Sequence, residues 1–84
     1  MEYAFAPRFL RSFKRLPKSV QDDALYAIDQ FKKDSHTPHL RLHKLSGKLK
    51  KYHAFSVNFS YRIIVHIHQT EVWFINVGSH DMYQ

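Results

Sequence analysis

The chain is short, basic and free of cysteine. Its 84 residues suit a single domain with one modest core, 44% of them are hydrophobic, and the formal charge is +6. The lack of cysteine excludes a disulfide framework, a thiolate nucleophile and a thiolate metal site, and it fits a reducing cytoplasm. We find no apolar run of membrane length and no pattern of a signal peptide, so we predict one cytoplasmic domain over residues 1–84.

The first part of the chain predicts a short strand and two helices. Residues 2–6 alternate between the two faces of a strand, and Pro7 suits the first turn of a helix that ends before Pro17. A second helix is predicted from about Lys18 to Lys33, antiparallel to the first. The inward positions expected from the helical spacing are Phe9, Leu10, Phe13, Leu16, Val20, Ala24, Ile28 and Phe31, with Leu25 and Ala27 flanking them.

The second part predicts three strands. Residues 53–58, 62–68 and 71–77 are rich in β-branched and aromatic side chains, and the first two segments alternate. Their connections are short, which favours an antiparallel meander. The element order is therefore β-α-α-β-β-β, an α+β fold in which a helical hairpin packs on one face of a mainly antiparallel sheet.

Charge is distributed unevenly along the chain. No acidic residue lies between Asp34 and Glu71, a stretch that holds six of the seven histidines. Its cationic residues are Arg41, Lys44, Lys48, Lys50, Lys51 and Arg62. A surface of one sign attracts a polyanion, so this stretch favours nucleic acid as a ligand, whereas an ordinary solvated loop is the plainer alternative.

Four segments resemble the RelE/ParE superfamily of toxins. The run from His36 to Leu49 contains His43-Lys44-Leu45-Ser46-Gly47, which is similar to a histidine-lysine-leucine-x-glycine motif that these proteins carry before the sheet. The segments Phe55-Ser56-Val57-Asn58 and Tyr61-Arg62-Ile63-Ile64 resemble two of the family's strands. Residues 77–83, Val-Gly-Ser-His-Asp-Met-Tyr, resemble its C-terminal glycine-x-histidine element.

The resemblance implies a toxin of a type II toxin–antitoxin pair with a RelE-like microbial RNase fold. The most frequent activity in the family is ribosome-dependent cleavage of mRNA, which inhibits translation, and the expected partners are mRNA, the ribosome and an acidic antitoxin with which the toxin oligomerises. A ParE-like inhibitor of DNA gyrase and a nucleic-acid-binding module without catalysis stay open as alternatives.

RNA cleavage by the 2′-hydroxyl group indicates which residues carry the chemistry. We expect His80 to be the general acid or base, Arg62 to hold the scissile phosphate, and Tyr83 to stack on a base or orient the 2′-hydroxyl. Some family members have basic residues where this chain has Ala54 and Ser56, so that role passes to His43 or to nearby lysines. The expected RNA-binding residues are Arg41, Lys44, Lys48, Lys50 and Lys51, and neither a metal nor a cofactor is predicted.

Other histidines have simpler interpretations. His53 is in register with Phe55 and Val57, so we expect a half-buried core or edge residue. His66 and His68 share a strand face at a spacing that suits zinc, but no cysteine and only Glu71 are available to complete such a site. We therefore expect no metal there.

Overall fold

A helical hairpin and a five-stranded sheet make up the computed structural model, which describes residues 1–79. The elements are β1 Glu2–Phe5, α1 Pro7–Lys14, α2 Lys18–Lys33, β2 His43–Lys44, β3 His53–Ser56, β4 Tyr61–His68 and β5 Glu71–Ser79, with short 3₁₀ turns at Pro38–Leu40 and Gly47–Leu49. The predicted α+β class and order of the longer elements are confirmed. Neither helix of residues 1–79 is long and apolar enough to cross a membrane.

The sheet order is β1-β5-β4-β3-β2, and only β1 and β5 run parallel. The prediction of a mainly antiparallel sheet is therefore confirmed. Two details differ from the sequence-based expectation. The strand β5 lies inside the sheet, because β1 pairs along its outer side, and the two-residue strand β2 was not expected.

Both helices pack on one face of the sheet. The core between them consists of Phe9, Ala24, Ala27, Ile28, Phe31, Leu40, Phe55, Ile63, Val65, Val72, Phe74 and Val77. At its centre the rings of Phe31 and Phe55 stack with 4.6 Å between their centroids. Such a pair contributes about 0.5–1.5 kcal/mol beyond the burial of its area.

The turn between the helices is fixed by a side chain. The amide nitrogen of Gln21 donates hydrogen bonds to the carbonyl oxygens of Phe13 and Leu16, at 3.0 and 3.3 Å. These carbonyls belong to the last turn of α1 and to the connection, where carbonyl groups lack partners within a helix. Gln21 therefore ties the end of α1 to the start of α2.

Two residues expected to line the core are exposed. Leu10 is 48% exposed and Leu25 is 56% exposed. Leu10 directly follows the buried Phe9, and Leu25 directly follows the buried Ala24. Neighbouring residues lie about 100° apart around a helix. A two-turn helix such as α1 cannot direct both Phe9 and Leu10 at the sheet, so the smaller side chain faces outward.

A second, smaller cluster lies on the opposite face of the sheet. Leu45, Ala54 and Ile64 are buried there, with Leu49, Tyr52 and Ile75 packed against them. The segment 45–52 thus crosses over this face. Its apolar residues cover the strands, and its lysines are exposed to solvent.

A bulge adjusts the register between β4 and β5. Ile64 pairs with Asn76, whereas the next residue, Val65, pairs with Phe74, so one additional residue of β5 is accommodated. The Oδ1 atom of Asn76 accepts a hydrogen bond from the Ser12 hydroxyl at 2.7 Å and another from the Val77 amide at 2.9 Å. The bulge therefore links β5 to α1 and keeps Val77 and Phe74 on the helix-facing side.

Candidate nucleic-acid interface

The last described residues of β5 lie beside the start of β4. Arg62 pairs with Gly78, and Tyr61 pairs with Ser79, in an antiparallel register. Adjacent strands are about 4.8 Å apart, so Ser79, the last described residue, lies one position away from the Arg62–Gly78 pair. His80 and Tyr83, which the sequence pattern assigns to catalysis, lie outside the described residues.

The side chain of Arg62 is held at the turn between β3 and β4. Its Nη1 atom donates hydrogen bonds to the carbonyl oxygens of Asn58 and Tyr61, at 3.2 and 3.1 Å, and the residue is half-buried. Within residues 1–79 no carboxylate forms an ion pair with it. The guanidinium group is thus positioned by backbone carbonyls, and its charge is not neutralised by a described acidic residue.

A groove with a volume of about 540 Å³ brings Arg62 together with Arg41. Its other lining residues are Tyr26, Ala27, His39, Leu40, Ser56, Val57, Asn58 and Phe59. Arg41 has a left-handed backbone conformation, with φ of 53°, directly after the Pro38–Leu40 turn. Two residues predicted separately to bind phosphate therefore share one concave site.

Aromatic residues at this groove were not identified from the sequence. Phe59 is 97% exposed and Tyr26 is 63% exposed, although both are large and apolar. Tyr26 lies on α2 and Phe59 lies between β3 and β4, so only the tertiary fold brings them together. The local sequence signal was an aromatic residue, Phe59, in a predicted turn, where aromatic residues are not typical. In the structure the connection consists of residues 57–60.

His43 lies next to this groove but on the outermost strand. It is exposed, and its Nδ1 atom lies 2.9 Å from the carbonyl oxygen of Arg41. In the ladder it pairs with Ala54, whereas Arg62 pairs with Ser56. These two ladder positions are two residues apart along β3, or about 7 Å. Because β2 and β4 lie on opposite sides of β3, two strand spacings also separate His43 from Arg62, so their Cα atoms are roughly 12 Å apart. His43 is thus close to Arg41 but not in contact with Arg62.

The structure explains why β3 has Ala54 at a position where some members of the RelE/ParE superfamily have a basic residue. Ala54 is fully buried beneath the segment 45–52, in contact with the cluster that contains Leu45 and Ile64. A basic side chain at this position would be buried without a partner, at a cost that favours a small apolar residue. Ser56, in contrast, lines the groove.

The predicted RNA-binding lysines form an exposed cationic segment. Lys44, Lys48, Lys50 and Lys51 are all exposed, and none pairs with a carboxylate among residues 1–79. By comparison, Lys18 and Lys33 on α2 pair with acidic residues four positions away. The turn that presents Lys48 needs Gly47, whose φ of 65° is unfavourable for other residues, although no atom lies near its absent side chain.

His53 has the half-buried position that the sequence predicted. Burial lowers the pKa of its imidazole below 6.5, and the nearby positive charges of Lys44 and His43 act in the same direction. Its Nδ1 atom is buried without a hydrogen-bond partner among the described residues. Burial therefore favours the neutral form of the ring, and His53 packs within the sheet and not in the groove.

The histidines of β4 form no metal site with other residues of the range 1–79. His66 and His68 share one face of the strand, with 6.1 Å between their ring centroids. In the part of the chain that is described, no three histidine, cysteine, aspartate or glutamate side chains come together as a metal ion would require.

The arrangement of helices and strands defines the fold class of this chain. It is the α+β fold of YafQ and YoeB toxins, so the resemblance to the RelE/ParE superfamily extends to the fold. No protein-family model matches the sequence, and no curated protein matches it either.

Individual solved structures match over nearly the whole chain. YafQ from E. coli strain BL21(DE3) has a TM-score of 0.78 at 16% identity, with 98% of this chain and 96% of that chain covered. The YoeB/ParE toxin from Agrobacterium tumefaciens has a TM-score of 0.77 at 12% identity, with 95% and 99% covered. YafQ in the E. coli DinJ-YafQ toxin-antitoxin complex has a TM-score of 0.74 at 17% identity, with 95% and 92% covered. Identities this low establish the fold alone.

Proposed function

We propose that this chain is the toxin of a type II toxin–antitoxin pair and that it cleaves mRNA on the ribosome. The observation that carries the proposal is the pairing of Arg62 with Gly78, at a groove that also contains Arg41. Two arginines that line one concave site suit a phosphodiester, because a guanidinium group offers a planar set of donors and keeps its charge. The toxins that share this fold support the first part of the proposal, that the chain is a toxin.

The proposed reaction is attack of the 2′-hydroxyl oxygen on the adjacent phosphorus atom. The new bond closes a 2′,3′-cyclic phosphate, and the bond to the 5′-oxygen breaks, so a 5′-hydroxyl end is released. One group must remove the 2′ proton and another must protonate the leaving oxygen. His80 follows Ser79 directly in the sequence, and an imidazole titrates near neutral pH and suits either role.

Three other residues complete the proposed mechanism. Arg62 stabilises the charge that develops on the phosphorane oxygens, as preorganised donors do in acyl and phosphoryl transfer. His43, exposed and close to Arg41, is the second candidate for proton transfer. Tyr83 stacks on a neighbouring base or orients the 2′-hydroxyl group. Neither a metal nor a cofactor takes part in this proposal.

The exposed lysines supply affinity in this scheme. Lys44, Lys48, Lys50 and Lys51 contact phosphates of mRNA or of ribosomal RNA, with Arg41 at the edge of the groove. Such contacts release counterions and do not depend on base sequence. Because mRNA and ribosomes are cytoplasmic, the protein acts in the cytoplasm.

An acidic antitoxin is the proposed protein partner. Solved structures of this fold include the DinJ-YafQ toxin-antitoxin complex from E. coli and the YoeB-YefM complex from Staphylococcus aureus. We infer that the antitoxin places acidic residues across Arg41 to Lys51 and packs a helix on exposed apolar residues. Together the two proteins form a larger assembly in which cleavage is suppressed.

Primer extension on mRNA from cells that express the chain alone tests this proposal. We expect cuts inside coding regions in arrested cells, and His80→Ala should slow cleavage about a hundredfold or more while RNA association stays nearly intact. The matched control is His36→Ala, which removes an exposed histidine from a loop. Intact messages together with damaged or poorly supercoiled DNA would instead support a gyrase inhibitor, and cleavage by His80→Ala at the parent rate would refute the assigned active site.

A further inference from the structure

A row of rings crosses the sheet face that is opposite the helices. The ring centroids of Tyr52 and His66 are 5.7 Å apart in an edge-to-face arrangement, and those of His66 and His68 are 6.1 Å apart. Trp73 on β5 pairs with His66 in the β4–β5 ladder. We call Tyr52, His66, His68 and Trp73 the ring row. None of these four residues takes part in the proposed cleavage reaction.

The ring row lies away from the main core. Val72 and Phe74 are buried against the helices, so Trp73 between them faces the other way. Likewise Val65 belongs to the main core, whereas His66 and His68 share the face of Ile64 in the smaller cluster. Trp73 is 39% exposed and His68 is exposed. The side chains of Trp73 and His68 thus reach solvent on this face of the sheet.

Positive charge borders the ring row on one side. The Lys51 ammonium group lies 5.4 Å from the centroid of the Tyr52 ring, so the order across the sheet is Lys51, Tyr52, His66, Trp73. Glu71 on the far side is the single acidic residue between Asp34 and Asp81, and its carboxylate accepts a hydrogen bond from the Trp73 indole at 3.3 Å. A polyanion bound to this face would therefore lie beside Lys51 and away from Glu71.

We propose that the ring row binds the bases of single-stranded RNA by stacking. Open sheet faces with aromatic side chains, next to cations that follow the backbone, suit unpaired bases because every base has a planar face. The phosphates lie towards Lys51, and the bases lie over His66, His68 and Trp73. This subsite deepens the proposed function, on which it rests, because it extends the RNA path beyond the reactive phosphate.

The strand β4 connects this subsite to the groove. Arg62 and His66 are four positions apart on the same strand and on the same face, which corresponds to about 13 Å. Cleavage at Arg62 and stacking at His66 therefore engage different nucleotides of one strand. The ring row fixes the register of the RNA on the protein, whereas Arg62 acts at the phosphate.

The single tryptophan of the chain provides a direct test. Purified full-length protein is titrated at low salt with a short single-stranded RNA and with an abasic strand of the same length and charge. Stacking of a base on the indole should quench Trp73 fluorescence in a saturable way with RNA, and the abasic strand should cause no such quenching. Equal quenching by the two strands, or no quenching by RNA, would overturn the proposal.

Variants separate stacking from simple charge attraction. His68→Ala and Trp73→Ala should each weaken binding of labelled RNA about tenfold in fluorescence anisotropy, with little effect on the abasic strand. Trp73→Phe keeps an aromatic ring and should retain most of the affinity. His36→Ala is the control for loss of an exposed histidine. Parent-like RNA affinity in His68→Ala and in a folded Trp73→Ala protein would refute the subsite.

The outcome can be distinguished from failure of the proposed function. Base-dependent quenching without mRNA cleavage in cells would keep the subsite and reject the nuclease. Cleavage without base-dependent quenching would keep the nuclease and reject the subsite. If RNA fails to quench Trp73 but an acidic antitoxin encoded beside this chain does so, the face is a protein interface and the proposal is wrong.

Discussion

Asn58 and Asp23 connect the tip of the β3–β4 turn to the second helix. The Nδ2 atom of Asn58 donates a hydrogen bond to the Asp23 carboxylate at 3.0 Å. At the same time the Oδ1 atom of Asn58 accepts from the backbone amides of Ser60 and Tyr61, at 2.9 and 3.0 Å. The carbonyl of Asn58 also accepts from Arg62, so Asn58 and the carbonyl of Tyr61 together position the guanidinium group of the candidate site.

The first prediction concerns the stability of this turn. Asn58→Ala removes the side-chain partners of two backbone amides and of Asp23, so the free energy of unfolding should fall by about 1–2 kcal/mol. Asn58→Asp keeps acceptors for the amides but places a second negative charge beside Asp23. The loss in free energy of unfolding caused by Asn58→Asp should become smaller with added salt, whereas the loss caused by Asn58→Ala should not change. Urea midpoints at two salt concentrations measure this, and a parent-like midpoint for Asn58→Ala would contradict it.

Regular periodicity explains which parts of the fold were predictable. The second helix was expected from about Lys18 to Lys33 and has those bounds, because its apolar residues recur at helical spacing over several turns. The strand β4 was predicted from residue 62 to 68 and runs from Tyr61 to His68, because Ile63, Val65 and Ile67 recur on one face. In contrast, the strand β2 contains two residues, too few for any period, and it exists only because β3 offers it a partner.

Long-range pairing and partner surfaces were not predictable in the same way. The parallel pairing of β1 with β5 joins segments about 70 residues apart, for which a single sequence carries no local signal. The site was predicted in part. Charge pattern and resemblance indicated Arg41 and Arg62, but their shared groove with Tyr26 and Phe59 depends on the packing of α2 against the β3–β4 turn.

The second prediction tests the geometry of Arg62 against its charge. Arg62→Lys keeps one positive charge but loses the planar guanidinium group, which donates to two backbone carbonyls and which we propose to hold the phosphate. Ribosome-dependent cleavage should slow about a hundredfold, the usual scale for loss of a preorganised donor. The control is Arg8→Lys on the exposed surface of α1. Equal rates for Arg62→Lys and the parent would show that charge alone suffices.

The third prediction tests whether RNA association depends on the exposed cationic segment or only on the net charge of the protein. Neutralising Lys44, Lys48, Lys50 and Lys51 together should weaken RNA association. The slope of the logarithm of the association constant against the logarithm of salt concentration should become shallower by about 0.7 for each phosphate that is no longer neutralised. The matched control neutralises the same number of lysines on the helices, Lys14, Lys18, Lys32 and Lys33. Filter binding over a salt series measures both slopes. If the two variants lose affinity equally, overall charge and not this segment governs association.

The fourth prediction concerns His53 and acid stability. Burial lowers its pKa in the folded chain, so the unfolded chain binds the proton more readily. The contribution of neutral His53 to stability is therefore complete above pH 6.5 and is lost as the pH falls below that value. Urea midpoints between about pH 5 and pH 7 should decline less steeply in His53→Gln than in the parent or in His36→Gln. Identical pH profiles would refute this role of His53.

The fifth prediction concerns the antitoxin and divides its binding into two parts. The acidic segment of the partner should be attracted by Arg41 to Lys51, and its apolar helix should pack on exposed Tyr26 and Phe59 beside the groove. Charge complementarity governs the association rate, whereas burial of apolar anchors governs dissociation. Neutralising the lysine segment should therefore slow association, mainly at low salt, and Phe59→Ala should speed dissociation about tenfold.

Kinetics with the protein encoded next to this chain measure both rates. Leu10→Ala is the control, because Leu10 is an exposed apolar residue on the other helix. Saturating antitoxin should quench cleavage even without direct contact to His80, since a covered groove excludes RNA from Arg41 and Arg62. An affinity of about micromolar or weaker, or full cleavage at saturation, would show that the partner does not act through this surface.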